Sequence, residues 1–330
     1  MSQARVIVTD YLEEPLDLER EILGDLAEVV ALQATSEEQL LESVKDADAL
    51  LVYHFVTITD RVIERLERCR IIVRCGVGYD NIDASAARER GIPVANVPDY
   101  GTEEVADSAL GMILSLTRGL HRMAVRAGNG ETPWSHELAK PLHRLRGRTL
   151  GIVGLGRIGT ALALRAKAIG LEVAFHDPYL PDGVDKALDL RRVETLDDLL
   201  RQSHALSLHC PGNEETAGLI NARAINLLPD GAYLVNTARG SVVDAPAVIE
   251  ALAKGKLAGA ALDVLPQEPP PKEDPVLKAW LNPEHPAHDR LLLNPHGAWY
   301  SEEGMADART KACINVRRVL LGEAPRNVVN

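Results

Sequence analysis

Gly154, Gly156 and Gly159 stand in the spacing Gly-x-Gly-x-x-Gly, and Asp177 closes the apolar run that follows. Leu150–Val153 ahead of the glycines reads as a strand, Thr160–Gly170 behind them as a helix, and Leu171–His176 as a second strand. A dinucleotide needs this arrangement. The first glycine permits a tight turn, the second lets backbone approach a pyrophosphate, and the third lets helix pack closely on strand. The helix N-terminus offers N–H groups and partial positive charge to phosphates, and Arg157 and Ile158 within the turn are counted as cofactor contacts. Asp177 can accept hydrogen bonds from ribose hydroxyls, and its charge repels a 2′-phosphate, so NAD is expected over NADP. Arg157 reads as a diphosphate contact rather than an NADP selector. Three later segments also end apolar runs: Val235–Gly240 with Arg239, Leu262–Pro269 with Asp263 and Glu268, and Asn294–Ala298 with His296. They bring an arginine, carboxylates and a histidine to strand ends, where ligands gather in open parallel sheets.

Elements of two kinds must position these groups. Short apolar runs alternate with amphipathic stretches almost throughout, the pattern of an α/β doubly wound protein. In the first third, strands are expected at Arg5–Thr9, Glu28–Leu32, Ala49–Val52, Ile71–Val73 and Val94–Asn96. Helices fall between them at Leu16–Leu26, Ser36–Val44, Thr59–Arg68 and Asp83–Arg90, with Gly91 as a C-cap. A helix from Thr102 to about Arg122 and a loop through Gly128-Asn129-Gly130 lead to the nucleotide-binding unit. Its later strands are expected at Ala205–His209, Ala232–Asn236, Gly259–Leu262 and Leu291–Asn294, with Pro266–His288 as an irregular connection. The helix Glu302–Leu321 is expected to return to the first domain. Residues 1–100 and 299–330 would then form a discontinuous, flavodoxin-like substrate domain, with a Rossmann domain at 101–298 inserted in it and the active site in the cleft between.

Composition narrows the possible partners. The 330 residues suffice for two domains with real cores, and a net charge of -12 argues against a nucleic-acid partner. Cys69, Cys75, Cys210 and Cys313 form no Cys-x-x-Cys pair, so neither a metal site nor a disulfide framework is read. Reduced thiols in a cytoplasm fit that pattern best. Met1–Val8 does not read as a signal peptide, and no apolar run approaches the roughly 18 residues of a membrane helix.

Four further segments carry a resemblance to the D-isomer-specific 2-hydroxyacid dehydrogenases, closest to their C-terminal-binding protein-like branch. They are Tyr53-His54, Ile72–Asp83 (with Arg74, Cys75, Gly76, Val77 and Gly78), Glu103–Ser108 and His296–Glu302. The resemblance covers essentially the whole chain. It implies that Arg239 binds the carboxylate and keto oxygen of a small 2-keto acid, since a guanidinium can grip both while polarising the carbonyl. His296 then resembles the acid that protonates that oxygen as hydride arrives, and Glu268 the carboxylate that orients it. Asp263 resembles the residue that holds the nicotinamide carboxamide. Gly76, Val77 and Gly78 resemble a loop whose N–H groups receive the substrate carboxylate, with two glycines allowing a concave nest and Arg74 adding charge. Ser108, His209, Cys210, Pro211, Thr216, Thr237 and Ala238 match cofactor-contact positions by resemblance alone. The family also implies a homodimer, with the Thr102–Arg122 helix and the loop after it as candidate contacts.

Blander readings stand beside these. His54 ends a strand where the family places its cleft, and is carried as a substrate-pocket candidate. Trp299 reads equally as packing or as a pocket wall, and Trp134 as core, lid or interface. The connection from Glu268 to His296 is longer than the family's usual one. His121, His136, His143, His204, His285 and His288 are left unassigned. The expected function is NADH-dependent reduction of small 2-keto acids to D-2-hydroxy acids. Phosphoglycerate oxidation is a rival, weakened by a chain that ends at Asn330 without a regulatory domain. Formate oxidation fits less well, because Pro295 stands where that subgroup has glutamine. An NADH-sensing co-repressor is the alternative of another class. It is ranked lower because such proteins often carry a disordered tail, which is not read here, and because Arg239, Glu268 and His296 are all retained.

Overall fold

Runs such as Val6-Ile7-Val8 and Ala49-Leu50-Leu51-Val52 have no polar alternation, so a strand made from them must be covered on both faces. The computed structural model describes residues 3–330 and places them so. In one unit, the chain up to Gly101 together with Ser301–Asn330, five parallel strands lie side by side. They are β1 (Ala4–Val8), β2 (Ala27–Ala31), β3 (Ala49–Val52), β4 (Ile71–Arg74) and β5 (Val94–Asn96), in the order β2-β1-β3-β4-β5. This is the doubly wound order of flavodoxin-like sheets. The period of two sends Val6, Val8, Leu51, Ile71 and Val73 to one face, and Ile7, Leu50, Val52 and Ile72 to the other.

The last helix, Glu302–Leu320, belongs to this unit. Ser301 caps it by accepting a hydrogen bond from Gly304 N at 2.8 Å. Its buried stripe, Ala312, Cys313, Val316 and Val319, joins the core on the Val6–Val8 face. Arg309 reaches from it to the helix Asp17–Leu23, donating from Nε and Nη2 to the two oxygens of Glu19 at 2.7 and 2.6 Å. Glu19 is wholly buried.

The second unit, Thr102–Tyr300, holds β6 (Thr149–Val153), β7 (Glu172–His176), β8 (Arg191–Arg192), β9 (Ala205–Leu208), β10 (Ala232–Asn236), β11 (Leu257–Leu262) and β12 (Leu291–Leu293). All pair in parallel, in the order β12-β11-β10-β9-β6-β7-β8. That is the Rossmann order with one strand added at an edge, and the order reverses between β6 and β9. Helices Thr102–Thr117 and Arg157–Ala168 cover one face with Ile113, Leu116, Leu162 and Ala166. Leu199, Ile225, Val248 and Leu252 cover the other.

Three expectations require correction. The single helix to Arg122 is two, Thr102–Thr117 and Leu120–Gly128, broken at Gly119, whose φ of 65° lies outside the helical region. The connection 266–288 is not wholly irregular: Pro275–Leu281 is helical, started by Pro275 after Asp274, whose carboxylate accepts from Val276 N and Leu277 N. Proline breaks a helix in its interior, but at the first helical position it starts one. The helix after the glycines begins at Arg157, not Thr160. No helix among the described residues is long and apolar enough to cross a membrane.

Candidate active site

The glycine turn occupies the carboxyl end of β6, at the point where strand order reverses. Gly154 has φ 86°, and a Cβ there would lie 2.7 Å from Cys210 N. Gly159 sits so close to the turn that a Cβ would lie 2.2 Å from Gly154 O. A Cβ on Gly156, by contrast, would meet nothing, so backbone is exposed to a ligand at the head of the helix. Arg157 is the first residue of that helix and is exposed, with Ile158 half-buried beside it. The Asp177 carboxylate holds the turn in place: Oδ2 accepts from Leu155 N at 2.9 Å and Oδ1 from Tyr179 N at 3.0 Å.

The facing loop after β9 carries His209, Cys210, Pro211 and Thr216. His209 is a neutral base. Burial pushes its pKa down to about 4, and Nε2 pairs with Ser207 Oγ at 2.8 Å. The unfolded chain therefore binds that proton more readily, so stability is full above about pH 6.5 and declines as pH falls toward 4. Denaturant midpoints measured across that range should fall for the native protein and fall less for His209→Asn. Burial also pushes the Cys210 thiol up to about 11, which makes it a packing group rather than a nucleophile. Thr216 knits its own loop, donating to Pro211 O at 2.6 Å and accepting from Asn213 N at 3.0 Å.

Arg239, Glu268 and His296 follow the carboxyl ends of three adjacent strands, β10, β11 and β12. His296 Nδ1 lies 2.5 Å from Glu268 Oε2, and Glu268 Oε1 accepts from Leu265 N at 2.7 Å. The pair is partly open to solvent, with side chains 21% and 25% exposed, as a proton-exchanging group must be. His296 itself is held at φ 50°, a region a histidine seldom adopts, with its N–H directed to Asp263 O at 2.8 Å. Fixing Nδ1 against a carboxylate presents Nε2 as the nitrogen that trades a proton with a ligand.

Asp263 is deeply buried, and its Oδ1 accepts from Asn294 Nδ2 at 2.5 Å, Gly297 N at 2.9 Å and Ala298 N at 3.0 Å. Burial raises its pKa, opposed by the Asn294 hydrogen bond and the charge of His296. Asp263 thus shapes the loop that carries His296. Ser108 does so from the helix Thr102–Thr117, donating to Ala298 O at 3.0 Å. Asn236 acts on the Arg239 segment, accepting from Ala238 N at 3.0 Å and donating to Arg239 O at 2.9 Å. Arg239 Nη1 donates to Ala238 O at 2.8 Å. Asn236 and Asn294 were given no role in the sequence. The readable signal was a polar side chain closing an apolar strand run. Trp299 packs edge-on against Tyr300, with ring centroids 5.7 Å apart.

In the first unit, His54 follows β3, and its N–H donates to Asp10 Oδ2 at 2.6 Å. The wholly buried Asp10 carboxylate also accepts from Tyr53 N and Phe55 N, so it sets this loop, a role the sequence did not reveal. The carbonyls of Gly76 and Val77 are tied by Val97 N at 3.1 Å and Asn96 Nδ2 at 2.7 Å. Gly76 does not lie in the left-handed region. A Cβ there would meet only the far end of the Arg74 side chain, with Nη1 at 2.4 Å, which would have to shift.

A dinucleotide fits the second unit. Thr237 Oγ1 is buried with no hydrogen-bond partner, at the end of β10, where a ligand's polar group would satisfy it. With the open space at Gly156 and the helix N-terminus, this defines an NAD-binding Rossmann unit that bears a histidine–carboxylate pair. A family model described as "D-isomer specific 2-hydroxyacid dehydrogenase, NAD binding domain" matches residues 110–298, and the chain belongs to that family. Its cofactor is NAD(H). The chain is 37% identical, over 99% of its length, to 59% of the D-3-phosphoglycerate dehydrogenase of Methanocaldococcus jannaschii. It is 35% identical, over its whole length, to 45% of C-terminal-binding protein 1 of Caenorhabditis elegans. It therefore spans about half the length of the curated relatives it matches. Among solved structures, the D-lactate dehydrogenase of Aquifex aeolicus, complexed with NAD and lactic acid, superposes with a TM-score of 0.85. Their identity is 28%, with 96% of each chain covered.

Proposed function

We propose that this protein is an NAD-dependent D-2-hydroxyacid dehydrogenase that reduces small 2-keto acids, with Arg239, Glu268 and His296 as its reacting or orienting groups. The observation that carries this reading is the His296–Glu268 pair, at 2.5 Å, beyond the carboxyl ends of the strands of a dinucleotide-binding sheet. NADH, when bound, supplies the hydride. His296 donates its Nε2 proton to the carbonyl oxygen as that oxygen gains charge, and takes it back in the oxidative direction. Glu268 orients the ring by its contact with Nδ1. Arg239 binds the substrate carboxylate and withdraws electron density from the carbonyl. Thr237, Ala238, Asp263, His209, Cys210, Pro211 and Thr216 border the cofactor in this reading. Arg74, Gly76, Val77, Gly78, His54 and Trp299 are its substrate-binding set.

The test is a panel of 2-keto acids assayed with NADH and with NADPH. No turnover of any of them would sink the proposal. The identity to a D-3-phosphoglycerate dehydrogenase favours a second reading, oxidation of 3-phosphoglycerate, so the panel includes 3-phosphohydroxypyruvate. Preferred turnover of that compound selects the second reading. The likeness to a C-terminal-binding protein supports the alternative of an NADH-sensing interaction protein, for which NADH-dependent capture of a peptide without turnover is the criterion.

Asp177→Ala is expected to weaken NADH binding about tenfold, since hydrogen bonds to a charged group are lost. It should also narrow the preference over NADPH, because the repulsive carboxylate is gone. Titration with both nucleotides checks this, and an unaltered preference would refute the ribose assignment. The proposal extends to a cytoplasmic homodimer. Leu120 and Trp134, 57% and 85% exposed, support a contact through the region after the helix Thr102–Thr117, and light scattering measures it.

A further inference from the structure

Two side chains outside this set bracket the glycine turn. In the sheet, β6 lies between β7 and β9, so the loops after β7 and β9 flank the turn at the end of β6. Both loops touch it: Asp177 holds Leu155 N from one side, and His209–Cys210 abut Gly154 from the other. Tyr179 belongs to the first loop and Glu215 to the second. The Tyr179 hydroxyl donates a hydrogen bond to Glu215 Oε2.

This bond runs from one flanking loop to the other, across the end of β6. Tyr179 is 74% exposed, so core packing does not account for its position. Its backbone is fixed by the bond from its own N–H to Asp177 Oδ1, which aims the ring from the residue that reads the ribose. Glu215 is fixed by its neighbour Thr216, whose hydroxyl and amide close the loop on Pro211 and Asn213. The hydrogen bond to Glu215 raises the pKa of the phenol, and the charge of Asp177 adds to this, so Tyr179 remains the donor at neutral pH.

We propose that Tyr179 and Glu215 form a clasp over the adenosine half of the bound dinucleotide, retaining the cofactor between turnovers. It rests on the reading of the Gly154–Asp177 region as the nucleotide site. An exposed hydrogen bond between two surface loops opens readily, so the clasp admits the nucleotide. Once closed, it must break before the nucleotide leaves. Its effect therefore falls on release rather than capture, and the two residues are positioning residues, not catalytic ones.

Stopped-flow fluorescence of NADH release from the intact protein tests this without any turnover. Tyr179→Phe keeps the ring and loses the hydroxyl, and release should quicken about fivefold, with association nearly unchanged. Glu215→Ala should do the same, and the double variant should be no faster than either single one, because both remove one interaction. Glu215→Gln keeps an oxygen acceptor and should fall between Glu215→Ala and the native protein. Reduced nicotinamide mononucleotide, which lacks the adenosine half, should leave all of them at one rate. Unchanged release of NADH in Tyr179→Phe, or additive effects in the double variant, would overturn the clasp. The Asp177→Ala titration separates the two ways of failing. If it weakens NADH while the clasp variants behave as native, the clasp alone is wrong; if all are native-like, the nucleotide site itself has been misplaced.

Discussion

Replacing His296 by alanine is expected to lower the rate of keto-acid reduction by about 10²- to 10⁴-fold while leaving NADH affinity nearly intact. The range is that of a positioned acid–base group lost from a transition state. NADH should be spared because the glycine turn, the helix N-terminus and Asp177 lie around the end of β6, whereas His296 follows β12 at the edge of the same sheet. Alanine at a φ of 50° adds backbone strain, so His296→Asn is the companion variant, since asparagine accepts that conformation more readily. Both variants should lose turnover. If only the alanine variant lost it, the backbone rather than the imidazole would be responsible. Turnover unchanged in both would remove His296 from the chemistry. Single-turnover rates and a fluorescence titration of NADH provide the two readouts.

Arg309→Ala is expected to destabilise the first unit by about 3 kcal/mol, because it leaves the Glu19 carboxylate buried without its guanidinium. The lower end of the usual range applies, since the Arg309 side chain is 22% exposed and water can enter when it is removed. The hydrogen bond to Glu19 raises the Arg309 pKa. Hydrogen exchange across Glu302–Leu320 should quicken, since this helix depends on the pair and on its stripe of Ala312, Cys313, Val316 and Val319. The double variant Glu19→Gln/Arg309→Met should recover most of the loss, as a buried charge no longer lacks a partner. Exchange unaltered in Arg309→Ala would show that apolar packing alone seats the helix.

The glycine spacing was legible because each glycine answers a local demand, a left-handed turn at Gly154 and a close approach at Gly159. Strands β3, β5 and β10 were placed to the residue because uninterrupted apolar runs admit few alternatives. Pro275–Leu281 was missed because proline starts a helix or ends one depending on the neighbour ahead of it, and Asp274 supplies the cap only through its side chain. The short edge strand Arg191–Arg192 carries no apolar signal, since it is defined by pairing with β7. Asp10, Asn236 and Asn294 escaped notice for a related reason. Each works through hydrogen bonds to backbone that the linear chain does not place beside it.

By itself, the amino-acid order determined the family, the cofactor and the candidate groups Arg239, Glu268 and His296, because residue type and local spacing carry that chemistry. Folding alone decided the contacts between segments distant in sequence: the Glu268 carboxylate on His296 Nδ1, and the Asp263 side chain that gathers Asn294, Gly297 and Ala298. It also decided the Tyr179–Glu215 bond over the end of β6. Such contacts depend on which strands become neighbours in a sheet, and that is settled by burying both faces of each sheet rather than by any local signal.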